Sequence, residues 1–198
     1  FVLYLAGLDW RIIVGGALVG GLTFWGAWEF NWLHDYQKER ILTVFNPQQD
    51  AQDAGWHTTQ AAIAIGSGGL LGKGWLNGTQ THLEFLPEKH TDFIFAVYGE
   101  EFGLLGCAVL VLFYLLMIGR CFLIAANAST LFGRLMAGSM TLMFFTYAFV
   151  NMGMVTGMLP VVGVPLPFMS FGGTALMTLF IAVGILMSVQ THRKLVNS

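Results

Sequence analysis

Long apolar runs alternate along the chain with short polar breaks and one extended polar stretch. Four runs, at about 10–33, 93–118, 131–155 and 174–189, are long enough or nearly so for the roughly 20 helical residues that cross a hydrocarbon core. The last is lengthened by a glycine-rich approach, and Phe1 to Gly7 reads as the tail of an earlier span. With no initiator methionine or leader-type segment, the sequence reads as the C-terminal part of a larger bundle. The pattern predicts an all-α, polytopic membrane helix bundle in which residues 1–198 form part of one transmembrane domain. A structured outer loop occupies about 34–92 and a re-entrant corner about 156–173.

Composition agrees with that pattern. Hydrophobic residues make up 56% of the chain and charged residues 10%, against about 25% charged in soluble domains. Charge placement then orients the bundle. Arg11, Arg120, Arg134, Arg193 and Lys194 flank span ends on one side, with Asp9 the acid among them. Excess basic residues mark the cytoplasmic side, so the C-terminus is expected on the cytoplasmic side and the long loop outside. That loop carries Lys38, Arg40, Lys73 and Lys89 against Asp35, Glu39, Asp50, Asp53, Glu84, Glu88 and Asp92. Trp25, Trp28 and Trp32 share a helical face at the outer end of the first span, as an interfacial aromatic belt would. Cys107 and Cys121 both fall in or at the end of the second span and are not expected to pair.

The loop is too long, at roughly 60 residues, to be a simple connection. Trp56, Trp75, Phe85 and the run Ala61 to Ile65 suggest short helices packed on the membrane face, and Tyr36 to Phe45 has a helical pattern that Asn46-Pro47 would stop. Its segment GSGGLLGKGW, Gly66 to Trp75, fails the Walker pattern at Ser67 and Gly74. A flexible turn between short helices is the plainer reading; a backbone nest for pyrophosphate beside Lys73 is the chemical one. His34, His57, His82 and His90 lack the helical spacing with Glu that marks a zinc site, and no metal ligand set is expected.

Chemistry concentrates where the loop enters the second span. Pro87 ends the preceding segment and Thr91-Asp92 opens an apolar helix, where either side chain could simply cap free N–H groups. A carboxylate at the water–membrane boundary also suits catalysis on a lipid-linked substrate. Glu100 and Glu101 lie deeper, about 12 Å along a helix rising 1.5 Å per residue. Acids there should face the bundle interior or a water-filled cavity. One of them is expected to pair with a base missing from this chain. Further on, Pro160, Pro165 and Pro167 with five glycines in Asn151 to Gly173 forbid a continuous helix. An ordered corner whose polar backbone is satisfied by protein or by a cavity follows.

Two segments, FLPEKHTDFIFAVYGEEFGLLG and NMGMVTGMLPVVGVPLPFMSFGG, together resemble signatures of the bacterial SEDS family (shape, elongation, division and sporulation). The resemblance runs over essentially the whole chain to the basic end THRK, and GTQTHLEFLPEKHTDF resembles the elongation branch more than the division branch. Tyr98-Gly99 and Phe171 depart mildly from the commonest family pattern. Family members typically have ten spans, so this chain resembles a C-terminal half that works with its own N-terminal half. The resemblance implies a peptidoglycan glycosyltransferase that polymerises lipid II during elongation, with undecaprenyl-pyrophosphate-linked glycan as the other substrate and a class B penicillin-binding protein as partner. It also implies that the membrane is the bacterial cytoplasmic (inner) membrane, and it maps the family's essential aspartate onto Asp92. Lys73, Glu88, Lys89, His90 and Ser170 are the expected substrate contacts, and Glu100 and Glu101 are expected as cavity-facing or structural polar residues. No nucleic-acid partner is expected. A Mg²⁺ or Mn²⁺ ion is compatible with a pyrophosphate leaving group, though no ligand cluster demands it. A lipid II flippase and a membrane scaffold for the penicillin-binding protein are the alternatives; a flippase needs polar residues along the whole crossing.

Overall fold

A computed structural model describes residues 7–30, 32, 34, 38, 54–78 and 91–192, with side chains from 58 onward in the second of the longer segments. The elements are α1 (Trp10–Glu29), α2 (Ala54–Gly68), α3 (Ile94–Ala126), α4 (Leu131–Val155) and α5 (Gly173–Thr191). Four of them, α1, α3, α4 and α5, are long and apolar enough to cross a membrane. The protein is a multi-pass membrane helix bundle.

Small residues decide how closely the helices approach. Ala61 and Ala64 of α2 are fully buried, and a Cβ placed on Gly99 of α3 would come within 3.1 Å of Ile65. Close backbone approach between small residues is the usual device where lipid supplies no hydrophobic drive between helices. α3 and α4 form an antiparallel pair, and Thr130 ends their connection by accepting at Oγ1 from Gly133 N–H at 3.1 Å. This N-cap satisfies a helix donor that would otherwise be orphaned. Ser129 Oγ donates to the His192 carbonyl at 3.1 Å, tying the end of α5 to the same turn. One core, containing Tyr114, Met154, Val155 and Leu166, joins α2, much of α3, the end of α4 and the segment after it. A second, containing Cys121, Phe144, Leu179 and Leu186, joins α3, α4 and α5. α1 has no buried residue, and Trp25 and Trp32 are exposed.

The second span differs from its sequence-based outline. It runs to Ala126 rather than stopping near 118, and it is broken at Gly103, whose φ of 66° and ψ of −164° are not helical. In an unbroken helix Leu104 N–H would donate to Glu100 and Leu105 N–H to Glu101. Instead those donors bond to Gly69 and Leu70, at 2.9 and 3.1 Å. The carbonyls of Glu100 and Glu101 accept from Lys73 and Gly74 N–H, at 3.1 and 2.9 Å. The glycine-rich segment after α2 therefore replaces both missing helix bonds with four of its own. Its approach demands glycine: a Cβ on Gly68 would collide with the Gly99 carbonyl, one on Gly72 with the Glu101 carbonyl, and one on Gly103 with the Gly72 nitrogen.

That docking corrects two expectations. The glycine-rich segment is a fixed strap rather than a flexible turn. It is no anion nest either, because the N–H groups of Gly69, Gly72, Lys73 and Gly74 all donate to backbone carbonyls. The expectation that an acid of α3 pairs outside the chain is corrected for Glu100, whose fully buried carboxylate meets Lys73 Nζ at 2.7 Å. Two charges close together in an apolar setting need this kind of direct contact to offset their lost hydration.

Candidate functional site

Asp92 lies two residues ahead of α3, in the turn Thr91-Asp92-Phe93. The N-cap position is Phe93, whose own side chain makes no cap bond. Phe93 and Phe95 are buried and anchor the turn in the core, while Asp92 is partly exposed.

The proline-glycine segment packs around this turn. After α4 it turns at Gly157, runs without regular structure to Leu166, and turns again through Ser170 before α5. Three buried side chains hold its shape. Tyr114 of α3 donates from its hydroxyl to the Pro167 carbonyl at 2.6 Å. Asn151, fully buried near the end of α4, donates through Nδ2 to the Val164 carbonyl at 2.7 Å and to the Asp92 carbonyl at 2.9 Å. Ser170 Oγ accepts from Leu166 N–H at 2.7 Å and donates to the Thr91 carbonyl at 2.5 Å. Gly163 completes the surroundings: with φ of +75°, its missing Cβ would stand 3.2 Å from Asp92 Oδ2. Glycine serves there twice, accepting a left-handed backbone and leaving room beside the carboxylate.

The residues singled out from sequence separate into groups. Asp92 and Ser170 meet at the corner. Lys73 and Glu100 meet each other at the strap. Glu101 is also buried, one residue on, and has no ion pair among the described residues. Glu88, Lys89 and His90 lie outside the described residues, as does the helical pattern at 36–45 apart from Lys38. Among the described residues no group of three or more His, Cys, Asp or Glu side chains gathers as a metal site would. Sequence reasoning passed over Asn151 and Tyr114. A polar amide inside an apolar span was the signal for the first, since such groups normally turn inward and find partners. An apolar cavity of about 480 Å³ between α3 and α4 is lined by Ile118, Phe122, Leu142 and Phe145 with Arg134. It adjoins the second core and is separate from the Asp92 turn.

Residues 1–195 match the family model for the FtsW/RodA/SpoVE cell cycle proteins. The chain belongs to that family. It is 55% identical over 197 residues to the peptidoglycan glycosyltransferase MrdB of Escherichia coli K12, covering all of this chain and 53% of that protein. Over 161 residues it is 42% identical to the peptidoglycan glycosyltransferase RodA of Treponema pallidum, covering 81% of this chain and 37% of the relative. The chain thus spans about half the length of the first of these relatives and less of the second. Among solved structures it superposes with a TM-score of 0.77 and 29% identity on a chain from a peptidoglycan synthase complex, studied for coordination of polymerization and crosslinking. That match covers 98% of this chain and 53% of the other. A RodA variant from Thermus thermophilus matches with a TM-score of 0.53 and 31% identity over 67% of this chain and 40% of its own. These relatives carry the SEDS resemblance read from the two motifs, including its elongation branch.

Proposed function

We propose that this chain is the catalytic C-terminal part of a peptidoglycan glycosyltransferase that polymerises lipid II during cell elongation, with Asp92 as general base. The observation that carries the reading is the Asp92 turn, where the carboxylate of a partly exposed residue at the head of α3 faces the glycine of a packed corner. The named activity of the relatives supports it. Asp92 accepts the proton of the acceptor sugar's 4-hydroxyl as that oxygen attacks the anomeric carbon of the growing glycan. The bond from that carbon to the pyrophosphate oxygen breaks, undecaprenyl pyrophosphate departs, and a single displacement inverts the centre. A placed base contributes about 10²- to 10⁴-fold to such a step.

The departing pyrophosphate is assigned to basic groups of the loop, Lys73, Lys89 and His90, with Glu88 beside them. Lys73 would have to serve while paired with Glu100. The loop lies outside the cytoplasmic membrane and the C-terminus inside, as the basic residues at Arg11, Arg120 and Arg134 favour. A crosslinking transpeptidase of the class B penicillin-binding type is the partner, and the N-terminal half completes the bundle. The transporter alternative is weakened by Glu100, the deep acid a crossing path would use, since it is committed to Lys73.

The test is glycan polymerisation from purified lipid II by the full-length protein with its transpeptidase, comparing the native sequence with Asp92→Asn at equal folded yield. The variant should bind lipid II and make no polymer; near-native polymer would remove Asp92 from catalysis.

A further inference from the structure

Asp92 is gripped on both sides of its Cα. Its φ is set by the peptide plane that carries the Thr91 carbonyl, and its ψ by the plane that carries its own carbonyl. Ser170 Oγ donates to the first and Asn151 Nδ2 to the second. The two donors come from different elements, 79 and 59 residues away along the chain. Between them they fix both backbone torsions and hence the direction of the Cα–Cβ bond that carries the carboxylate. Each donor also holds the corner. Asn151 Nδ2 reaches the Val164 carbonyl, next to the Gly163 that borders Asp92 Oδ2, and Ser170 Oγ takes the Leu166 N–H. Carboxylate and corner are thus set at one spacing by the same two side chains.

A further observation separates Asn151 from an ordinary core residue. Its side chain is fully buried, yet Oδ1 has no hydrogen-bond partner among the described residues. A buried acceptor without a partner is costly, and each such group in a native structure calls for a reason. Nδ2 faces two carbonyls, so the orientation of the amide is not interchangeable. The two donated bonds are what keep the group in place.

We infer that Asn151 and Ser170 are positioning residues that aim the Asp92 carboxylate at the acceptor hydroxyl, holding it and the Gly163 wall at a fixed separation. The inference rests on Asp92 being the base. Ser170 on this account acts through the backbone of Thr91 rather than by touching substrate.

The test measures polymerisation per folded molecule by the full-length protein with its transpeptidase, for Asn151→Ala, Ser170→Ala and Asp92→Asn, with kcat and KM for lipid II determined separately. Displacing a reacting group by about 1 Å costs on the order of 10²-fold, so either alanine variant should lower kcat by roughly 10- to 100-fold with KM nearly unchanged. The acid limb of the pH–rate profile should move as well, because the base sits in altered surroundings. A residue that only supports the fold would lower folded yield and leave both quantities intact per folded molecule. Native kcat and an unmoved acid limb in whichever alanine variant folds would overturn the inference. Polymer made by Asp92→Asn would instead overturn the assignment of the base, so the two failures are told apart. The two alanine variants act on separate peptide planes, so poor folding of one leaves the other to decide.

Discussion

Replacing Gly72 with alanine attacks the strap that mends α3. Gly72 has φ of +80°, and a Cβ there would collide with the Glu101 carbonyl oxygen and stand 2.5 Å from Glu101 C and 2.6 Å from Phe102 C. These are backbone atoms of a packed helix, so relief requires the strap to lift. Left-handed backbone costs a non-glycine residue roughly 1–2 kcal/mol. Lifting the strap also breaks the bonds from Lys73 and Gly74 to the Glu100 and Glu101 carbonyls, at about 1–3 kcal/mol for each buried group left unmet. Taking the lower values for the bonds, the loss is about 3–4 kcal/mol. Gly66 supplies the control: it is helical, and a Cβ on it meets nothing within 4 Å. Gly66→Ala should be neutral or stabilising, by up to about 1 kcal/mol, since alanine is the better helix former. Thermal unfolding of the purified full-length protein in detergent separates the two variants. Equal melting temperatures for Gly72→Ala and the native protein, or equal falls for both glycine variants, would show that the strap does not hold α3 together.

The Lys73–Glu100 pair should behave as a buried pair does. Lys73→Met strands a fully buried carboxylate and should cost about 3–5 kcal/mol. The double variant Lys73→Met with Glu100→Leu should recover much of that loss; a double-mutant cycle on melting checks it. Tyr114→Phe removes the hydroxyl that donates to Pro167 and should destabilise by about 1–3 kcal/mol, read as earlier protease cleavage in the corner between α4 and α5. Thr130→Ala removes the α4 cap and should cost about 1 kcal/mol without changing polymerisation per folded molecule.

How much was legible from sequence follows from the range of each interaction. The spans were readable because crossing hydrocarbon imposes length and apolarity on contiguous residues, which is why α4 matched its outline at 131–155. Asp92 stands out in the sequence because a charged loop meets an apolar helix there, and its catalytic role is the proposal made above. The break at Gly103 was not, since a glycine inside an apolar helix carries no sign that its neighbours have lost their bonds. Nor was the partner of Glu100: it is 27 positions from Lys73 along the chain, across a stretch with no periodicity to say how the chain returns.

Sequence alone determined that the chain enters a membrane as several helices, that Pro160, Pro165 and Pro167 interrupt them, and where the acids fall. Those facts rest on local rules: hydrocarbon length, proline's missing donor and the cost of unpaired charge. Only the tertiary structure decided that the glycine-rich strap completes α3, that Lys73 neutralises Glu100, and that Asn151 and Ser170 hold the two peptide planes of Asp92. Each joins backbone or side-chain groups well separated in sequence. Their pairing depends on which glycines let two backbones touch, and that is settled when the helices pack.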